Sequence, residues 1–303
     1  MAVVGGNGKG QAGGKRVALV LGSGGARGLA QIGALEVIQA RGLEIVAIAG
    51  TSIGALVGGL HASGRLADYR DWLLSMDRNT MLRLLDPGWG RAALFTGDRL
   101  MAALREVCGS PRFEDLTIDF TAVAVDLVRQ REVWFRQGDM WDAVRASFAI
   151  PGVFTPMVIN GREMVDGGLL APLPMTAMRM ADADTIIAID LNGPPSGTAR
   201  QAAADAAGES AEPVSRSWWP PRQFRQVKDT VGAHPRLGFT ELMAQSFDTM
   251  QAQLARVQLA LDPPGVEMRI PRDACEIYEF WRVAEMIEIG RTEATRALDA
   301  AGY

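Results

Sequence analysis

A short apolar strand runs directly into an apolar helix in residues 45–61, which read IVAIAGTSIGALVGGLH. Ile45 to Ala49 has the continuous apolar pattern of a strand buried on both faces, and Ala55 to His61 continues as a helix. The turn between them is Gly50-Thr51-Ser52-Ile53-Gly54, a G-x-S-x-G pattern. Glycine on both sides permits a sharp turn that presents the Ser52 hydroxyl at the carboxyl edge of a sheet. The pattern predicts a nucleophilic serine, and a tight turn that needs small residues is the alternative.

The elements around this turn predict an α/β fold with a parallel sheet. Residues 16–21 (RVALVL) predict an earlier strand, and apolar residues at helical spacing predict a helix from Gly28 to Ala40. Two strand–helix pairs in so short a stretch indicate βαβ units, whose strands run parallel. Further predictions are strands at 120–128, 133–135 and 185–191, helices within 66–116 and at 141–148 and 277–298, and a long amphipathic helix with one apolar face made by Met243, Phe247, Met250, Leu254, Val257 and Leu261.

The composition is that of an ordinary globular protein, with 48% hydrophobic and 22% charged residues. A formal net charge of −4 argues against a nucleic-acid binder. The two cysteines form neither a disulfide framework nor a CxxC pair, which is typical of a reducing compartment and predicts a cytoplasmic location, with peripheral contact to the inner membrane as an addition. No His, Asp and Glu cluster has ligand spacing, so we expect no metal and no cofactor.

We expect one domain over residues 15–303, preceded by a disordered Gly-rich head over 1–14 that lacks the apolar region of a signal peptide. Residues 193–228 are rich in Pro, Gly, Ala and Ser and predict a mobile insertion, after which C-terminal helices close the domain. The longest nearly apolar run, 43–60, is interrupted by Glu44 and by two glycines. It therefore fits a buried strand and helix better than a membrane span.

A glycine-dense loop, Gly22-Ser23-Gly24-Gly25-Ala26-Arg27-Gly28, separates the first strand from the first helix. It fails the dinucleotide pattern G-x-G-x-x-G, because counting from Gly22 and Gly24 puts Arg27 where the third glycine is needed. No Gly-Lys-Ser/Thr follows, so the loop is not a P-loop either, and a nucleotide-binding protein is a disfavoured alternative. A loop of this kind at the start of a helix can present backbone N–H groups to an oxyanion.

A nucleophilic serine needs a base within hydrogen-bond reach, and the chain offers few. Asp166 ends a short apolar run and leads into Gly167-Gly168, although Asp-Gly is also a common turn signal. Of the two histidines, His61 lies nine residues beyond Ser52 on the same predicted helix and should point away. His234 follows a Pro-rich segment, and the order Ser, Asp, His matches an α/β-hydrolase triad. Asp166 and His234 both stay open as the base at this point.

Taken in order, the three motifs resemble the patatin-like phospholipase family, in particular its short bacterial members, which are similar to the catalytic domain of neuropathy target esterase. The family has a G-G-x-R/K-G loop, a G-x-S-x-G elbow and a D-G-G/A aspartate, as this chain has in its Gly24–Gly28, Gly50–Gly54 and Asp166–Gly168 segments. Residues 146–154 (ASFAIPGVF) are also similar to the segment that precedes the family's aspartate. The resemblance extends from about Arg16 to Leu191 and does not cover the 193–228 insertion.

The resemblance implies a three-layer α/β/α fold with a mainly parallel central sheet and a serine lipid-acyl hydrolase of the phospholipase A, lysophospholipase or carboxylesterase type. Ser52 would be the nucleophile and Asp166 the base of a Ser-Asp dyad. The oxyanion hole would come from the loop formed by Gly24, Gly25, Ala26, Arg27 and Gly28, and Gly50 and Gly54 would form the elbow. Because such a dyad contains no imidazole, we expect no inflection of activity near ~6.5, the ordinary pKa of histidine.

The substrate expectation is a lipid or another ester. Residues 216–228 interleave two tryptophans and a phenylalanine with arginines and a lysine, which predicts peripheral contact with an anionic membrane. A loop with solvated arginines is the alternative. A non-catalytic lipid-binding or regulatory protein on the same fold, and an α/β-hydrolase-type esterase that uses His234, are the alternatives for the function. The oligomeric state stays open.

Overall fold

The computed structural model describes residues 14–88, 93–196 and 238–303. The predicted disordered head therefore lies outside the described residues except for Gly14, and the predicted insertion lies outside them from residue 197 onward. The tryptophan- and arginine-rich residues 216–228 and His234 are outside them as well. Within the described ranges, no helix combines the length and apolar character needed to cross a bilayer.

Within the described residues, eight strands form one mixed sheet that is mostly parallel in its centre, in the order β5-β6-β3-β2-β1-β7-β8, with β4 paired to β3. The parallel part of the sheet consists of β3, β2, β1, β7 and β8, each paired with the next. Strand β3 also pairs antiparallel with β4 and with β6, and β6 pairs antiparallel with β5. The bounds are β1 Arg16–Leu21, β2 Glu44–Thr51, β3 Asp119–Asp126, β4 Arg131–Phe135, β5 Met157–Ile159, β6 Arg162–Asp166, β7 Thr185–Gly193 and β8 Val266–Pro271.

The described helices flank this sheet. They are α1 Ala30–Ala40, α2 Ile53–Ala62, α3 Leu66–Ser75, α4 Arg78–Arg83, α5 Asp98–Cys108, α6 Met140–Ser147, α7 Phe239–Leu261 and α8 Val283–Ala301. The predicted first helix begins instead with a 3₁₀ segment, Gly25–Leu29, and the predicted last helix starts at Val283 rather than at residue 277. β5, β6 and β8 were not predicted, because β5 is only three residues long and the short runs of β6 and β8 mix charged with apolar residues.

The two faces of the sheet bury different side chains. On β1, Val17, Leu19 and Leu21 point into the large core that α1, α2 and α8 cover, while Ala18 and Val20 point to the other side. That second face is lined mostly by alanines and is covered by α7 and by the 3₁₀ segment Met175–Met178. Small side chains let this layer lie close to the sheet. The three-layer α/β/α architecture with a mainly parallel sheet is confirmed.

Helix α7 packs against the sheet through a different side from its predicted apolar face. Of its predicted apolar face, Met243, Met250, Val257 and Leu261 are exposed, at 50–71% of their surface. The side packed against the sheet carries Gln251, Ala252 and Ala255, all nearly buried. The periodic apolar pattern predicted the helix, but most of that apolar face is exposed, and the side packed against the sheet carries small and polar residues.

Strand β3 brings the ends of two other strands together. It pairs with β2 up to Val123, which lies opposite Thr51, and it pairs with β6 from Ala124, which lies opposite Asp166. Since β4 occupies the other edge of β3 from Ala122 to Asp126, β2 and β6 must share one edge, end to end. The residue after β2 and the last residue of β6 are therefore neighbours in space, although more than a hundred positions separate them in the chain.

Candidate active site

Ser52 occupies the turn between β2 and α2 in a backbone conformation that few residues adopt. Its φ of 57° and ψ of −122° lie where a side chain is disfavoured. A Cβ at Gly50 would stand 2.2 Å from the carbonyl oxygen of Gly54, and a Cβ at Gly54 would stand 2.2 Å from that of Leu21. Both predicted elbow glycines are thus required by backbone contacts, and the turn holds the Ser52 side chain at the carboxyl edge of the sheet.

The hydroxyl of Ser52 donates a hydrogen bond to Asp166, with 2.6 Å between Oγ and Oδ2. The other carboxylate oxygen, Oδ1, accepts the backbone N–H of Gly168 at 2.6 Å. Asp166 is fully buried, and Ser52 is 3% exposed. The structure therefore brings the predicted nucleophile and the predicted base into direct contact, inside the protein at the carboxyl edge of the sheet.

Burial raises the pKa of Asp166 to about 7, against the smaller opposing effects of the hydrogen bonds from Ser52 and Gly168, which favour the charged form. A carboxylate with this pKa is a far better proton acceptor at neutral pH than an ordinary aspartate. A pKa of about 7 for Asp166 lies close to the histidine range, so the expectation of activity without an inflection there stays a prediction that only a measured pH profile can test. A loss of activity on the acidic side of the pH–rate profile (its acidic limb) therefore does not by itself distinguish Asp166 from His234 as the base.

The end of α6 and the residues directly after it bind the backbone of both Ser52 and Asp166. The hydroxyl of Ser147 accepts the backbone N–H of Ser52 at 2.8 Å and donates to the carbonyl of Val123 at 2.6 Å. The backbone N–H of Asp166 donates to the carbonyl of Ala149 at 3.0 Å. Sequence reasoning quoted this segment but assigned Ser147 no role. The signal in the sequence was a small polar residue at the end of a short helix that also carries Asp142 and Arg145, and it does not indicate a partner.

The glycine loop lies beside Ser52, at the ends of β1 and β7. Within the described residues the N–H groups of Gly24 and Gly25 donate no hydrogen bond, whereas that of Ala26 donates to the carbonyl of Ile277 at 2.9 Å. Gly25 has a φ of +57°, and a Cβ there would stand 2.4 Å from the same carbonyl. Of the five predicted oxyanion residues, Gly24 and Gly25 are therefore the candidates whose backbone N–H groups could bind an oxyanion.

Arg27 and Gly28 hold the loop in place instead, Arg27 through polar contacts and Gly28 through close packing. The guanidinium of Arg27 is 1% exposed; its Nε donates to the carbonyl of Gly24 at 3.2 Å, and its Nη2 forms an ion pair with Asp248 of α7. A Cβ at Gly28 would stand 2.3 Å from the Ile53 side chain, so glycine lets the loop pack against the start of α2. Arg27 thus fixes the loop from behind, and Gly28 allows it to lie close to the elbow.

No histidine reaches Ser52 in the described parts of the chain. His61 stands in the last turn of α2, nine residues and about 13 Å along the helix axis from the nucleophile. Burial lowers its pKa, so its imidazole is neutral near pH 7. His234, the rival base, lies outside the described residues.

The residues that the structure describes include no group of three or more His, Cys, Asp or Glu side chains arranged to hold a metal ion. Both cysteines, Cys108 and Cys275, are buried, and burial raises the pKa of each thiol, to about 11 and about 12. Neither thiol is therefore a second nucleophile near neutral pH.

Three comparisons bear on this arrangement. The family model for patatin-like phospholipases matches residues 19–179, which contain Ser52, Asp166 and the glycine loop. An uncharacterised NTE family protein of Mycobacterium tuberculosis is 38% identical over 331 aligned positions, which cover 94% of this chain and 92% of the relative. The lysophospholipase NTE1 of Saccharomyces cerevisiae is 27% identical over 91% of this chain, which is 16% of that protein. Patatin-like phospholipase domain-containing protein 6 of Homo sapiens is 31% identical over 59% of this chain and 13% of that protein.

Proposed function

The chain belongs to the patatin-like phospholipase family, and from that premise we propose that it hydrolyses acyl esters of lipids with Ser52 as nucleophile and Asp166 as base. The observation that carries the proposal is the buried hydrogen bond of 2.6 Å from Ser52 Oγ to Asp166 Oδ2. A serine is a weak nucleophile unless an adjacent base accepts its proton. Here the candidate base is in place and has a pKa of about 7.

In the acylation step, Ser52 Oγ attacks the ester carbonyl carbon while its proton passes to Asp166 Oδ2. The tetrahedral oxyanion accepts hydrogen bonds from the N–H groups of Gly24 and Gly25. Each such donor is typically worth about 2.7–4 kcal/mol of barrier. When the intermediate collapses, the proton on Asp166 goes to the leaving alcohol oxygen, and the acyl group stays on Ser52 as an ester.

In the deacylation step, a water molecule attacks the acyl-enzyme carbonyl while Asp166 accepts its proton. Collapse of the second tetrahedral intermediate returns that proton to Ser52 Oγ and releases the fatty acid. One carboxylate therefore serves both steps, alternating between base and acid, for which a pKa near neutrality is the suitable value.

The names of the relatives support a substrate class. A lysophospholipase from yeast and a human protein with a patatin-like phospholipase domain align with this chain, and we propose a phospholipid or lysophospholipid ester as the substrate. The predicted membrane contact through residues 216–228 stays part of the proposal, since an enzyme that acts on bilayer lipids gains from a surface that docks on them.

The test is labelling of the pure protein with a fluorophosphonate, followed by peptide mapping of the adduct. We expect an adduct on Ser52 and none on the Ser52→Ala variant. Asp166→Asn keeps the shape of the side chain but cannot accept the proton, so its labelling rate should fall by about 10²–10⁴. Asp190→Asn is the matched control, because Asp190 is also buried at the sheet edge, with its pKa raised by burial, but does not contact Ser52.

His234→Gln should label at the wild-type rate. A strong loss in that variant would instead support the α/β-hydrolase triad. If the wild-type protein forms no adduct at all, the proposal is wrong, and a lipid-binding protein that keeps the fold without turnover takes its place.

A further inference from the structure

Helix α7 makes polar contacts with the glycine loop of the proposed hydrolytic site and, further along, with residues 170–173, which lie outside that site. Asp248 pairs with Arg27 behind the glycine loop, and the carboxamide of Gln251 accepts the hydroxyl of Ser23 at 3.3 Å. Further along, Gln258 accepts the N–H of Leu173 at 3.1 Å and donates to a neighbouring carbonyl. An amphipathic helix normally packs through its apolar side, but here polar side chains face the protein. The polar side chains on the inward side of α7 therefore call for an explanation in terms of stability or function.

Gln251 is the most buried of the three, at 4% exposure. Its partner Ser23 comes immediately before Gly24 and Gly25, the residues whose N–H groups have no partner of their own within the described residues. Ser23 is itself 2% exposed. The buried hydrogen bond from Ser23 to Gln251 therefore restricts the movement of the glycine loop.

The same carboxamide also lies behind the candidate base. A Cβ at Gly168 would stand 2.1 Å from Gln251 Nε2, 2.9 Å from Asp166 Oδ1 and 2.9 Å from Ser23 Oγ. The three polar atoms thus surround one small space, which is open only because residue 168 is glycine. Oδ1 is the carboxylate oxygen that faces away from Ser52.

The orientation of the carboxamide suits these neighbours. Its oxygen accepts from the Ser23 hydroxyl, which leaves Nε2, a donor only, on the side of the Asp166 carboxylate. A neutral amide provides a dipole of the right sign without adding a charge to a buried site. A glutamate of the same size would add a second negative charge beside Asp166.

We propose that Gln251 is a positioning residue of the hydrolytic site, which fixes the Ser23 hydroxyl and closes the rear side of Asp166, so that the oxyanion loop and the base are held in one geometry. The inference rests on the proposed function. It adds a residue from α7, beyond residues 19–179 to which the family model is confined.

The decisive variant is Gln251→Glu, measured by the pH dependence of Ser52 labelling with a fluorophosphonate and of kcat/KM on a soluble nitrophenyl ester. Two carboxyl groups at one site cannot both ionise readily, so the acidic limb should move to higher pH by about one unit or more. Gln253→Glu is the matched control, because it introduces the same charge on the exposed side of the same helix. Its limb should coincide with that of the wild type.

A second variant guards against misfolding of the first. Gln251→Met keeps the length of the side chain and removes its hydrogen bonds, and we expect kcat to fall about tenfold while KM changes less than twofold. Gln258→Met removes a polar contact of α7 two turns away, and it should leave both the limb and the ratio of kcat to KM unchanged.

Two results overturn the inference. If the limbs of Gln251→Glu and Gln253→Glu both coincide with the wild-type limb, Gln251 does not act on Asp166. If Gln251→Met keeps the wild-type kcat, it does not position the loop. In either case the wild type still labels on Ser52, so the proposed function stands. Absence of labelling in the wild type itself overturns both proposals together.

Discussion

On the proposed mechanism, acidification should lower kcat/KM for ester hydrolysis, because it protonates Asp166. With a pKa of about 7 for this carboxyl, roughly 90% of the molecules carry an ionised base at pH 8 and about 1% at pH 5. Only the ionised form can accept the Ser52 proton. We therefore expect kcat/KM to fall about tenfold for each pH unit below 7, which is about ninetyfold between pH 8 and pH 5.

The assay is hydrolysis of a water-soluble short-chain ester, with every sample brought to one fixed pH before the product is read. A soluble substrate avoids changes in lipid packing with pH. Structural integrity at pH 5 is checked by the near-UV circular dichroism spectrum and by recovery of full activity on return to pH 8.

The control variant replaces both histidines, His61→Gln with His234→Gln, and its profile should superimpose on that of the wild type. A profile that stays flat down to pH 5 would show that the pKa of Asp166 is close to that of an ordinary aspartate. A limb that disappears in the double variant would show that an imidazole is the titrating base. Either result refutes the reasoning from burial.

The remaining predictions concern stability and the support of the elbow. The pKa of Asp166 is raised from 3.8 to about 7 in the folded state, so the folded protein gains stability as the pH falls from 7 toward 4 and carries the full cost of the buried charge above 7. Asp166→Asn should therefore be more stable than the wild type at pH 8, by up to about 4 kcal/mol, with the difference shrinking at pH 5; urea unfolding at the two pH values measures it. Ser147→Ala leaves the buried N–H of Ser52 without its acceptor and should cost about 1–3 kcal/mol in the same assay, together with a lower kcat. Gly54→Ala places a Cβ 2.2 Å from the carbonyl oxygen of Leu21, so it should lower Tm and slow Ser52 labelling; an unchanged Tm would contradict the steric argument. Ser52→Gly should exceed Ser52→Ala in stability by about 1 kcal/mol or more, since glycine adopts the φ of 57° without strain.

The sequence was sufficient to predict the elbow because its glycines are required locally, whereas Asp166 was singled out as the base only by the resemblance to the family. Gly50 and Gly54 sit where any side chain would meet a backbone carbonyl, and such requirements leave a readable pattern at fixed spacing. The first two strands were readable for a similar reason, since burial on both faces demands an unbroken apolar run. The parallel sheet followed from their order.

Properties that depend on distant packing were not readable. The raised pKa of Asp166 comes from its burial at the end of β6, a five-residue strand that begins with two charged residues and carries no strand signal. The inward-facing side of α7 carries Gln251 because its partners are loops more than eighty positions away in the chain. No periodicity in the helix itself encodes such partners.

The backbone of Ser52 has a consequence for how this lineage can change over time. At φ 57° and ψ −122°, glycine is the residue that the turn itself prefers, and the proposed role of Ser52 as nucleophile is the reason for a hydroxyl there. Once selection for hydrolysis is relaxed, Ser52 is the position at which drift toward glycine meets no steric obstacle and gains stability, whereas Gly50 and Gly54 cannot drift at all. A related protein that reads Gly-x-Gly-x-Gly at the elbow is thus expected to fold normally and to lack the proposed hydrolytic activity.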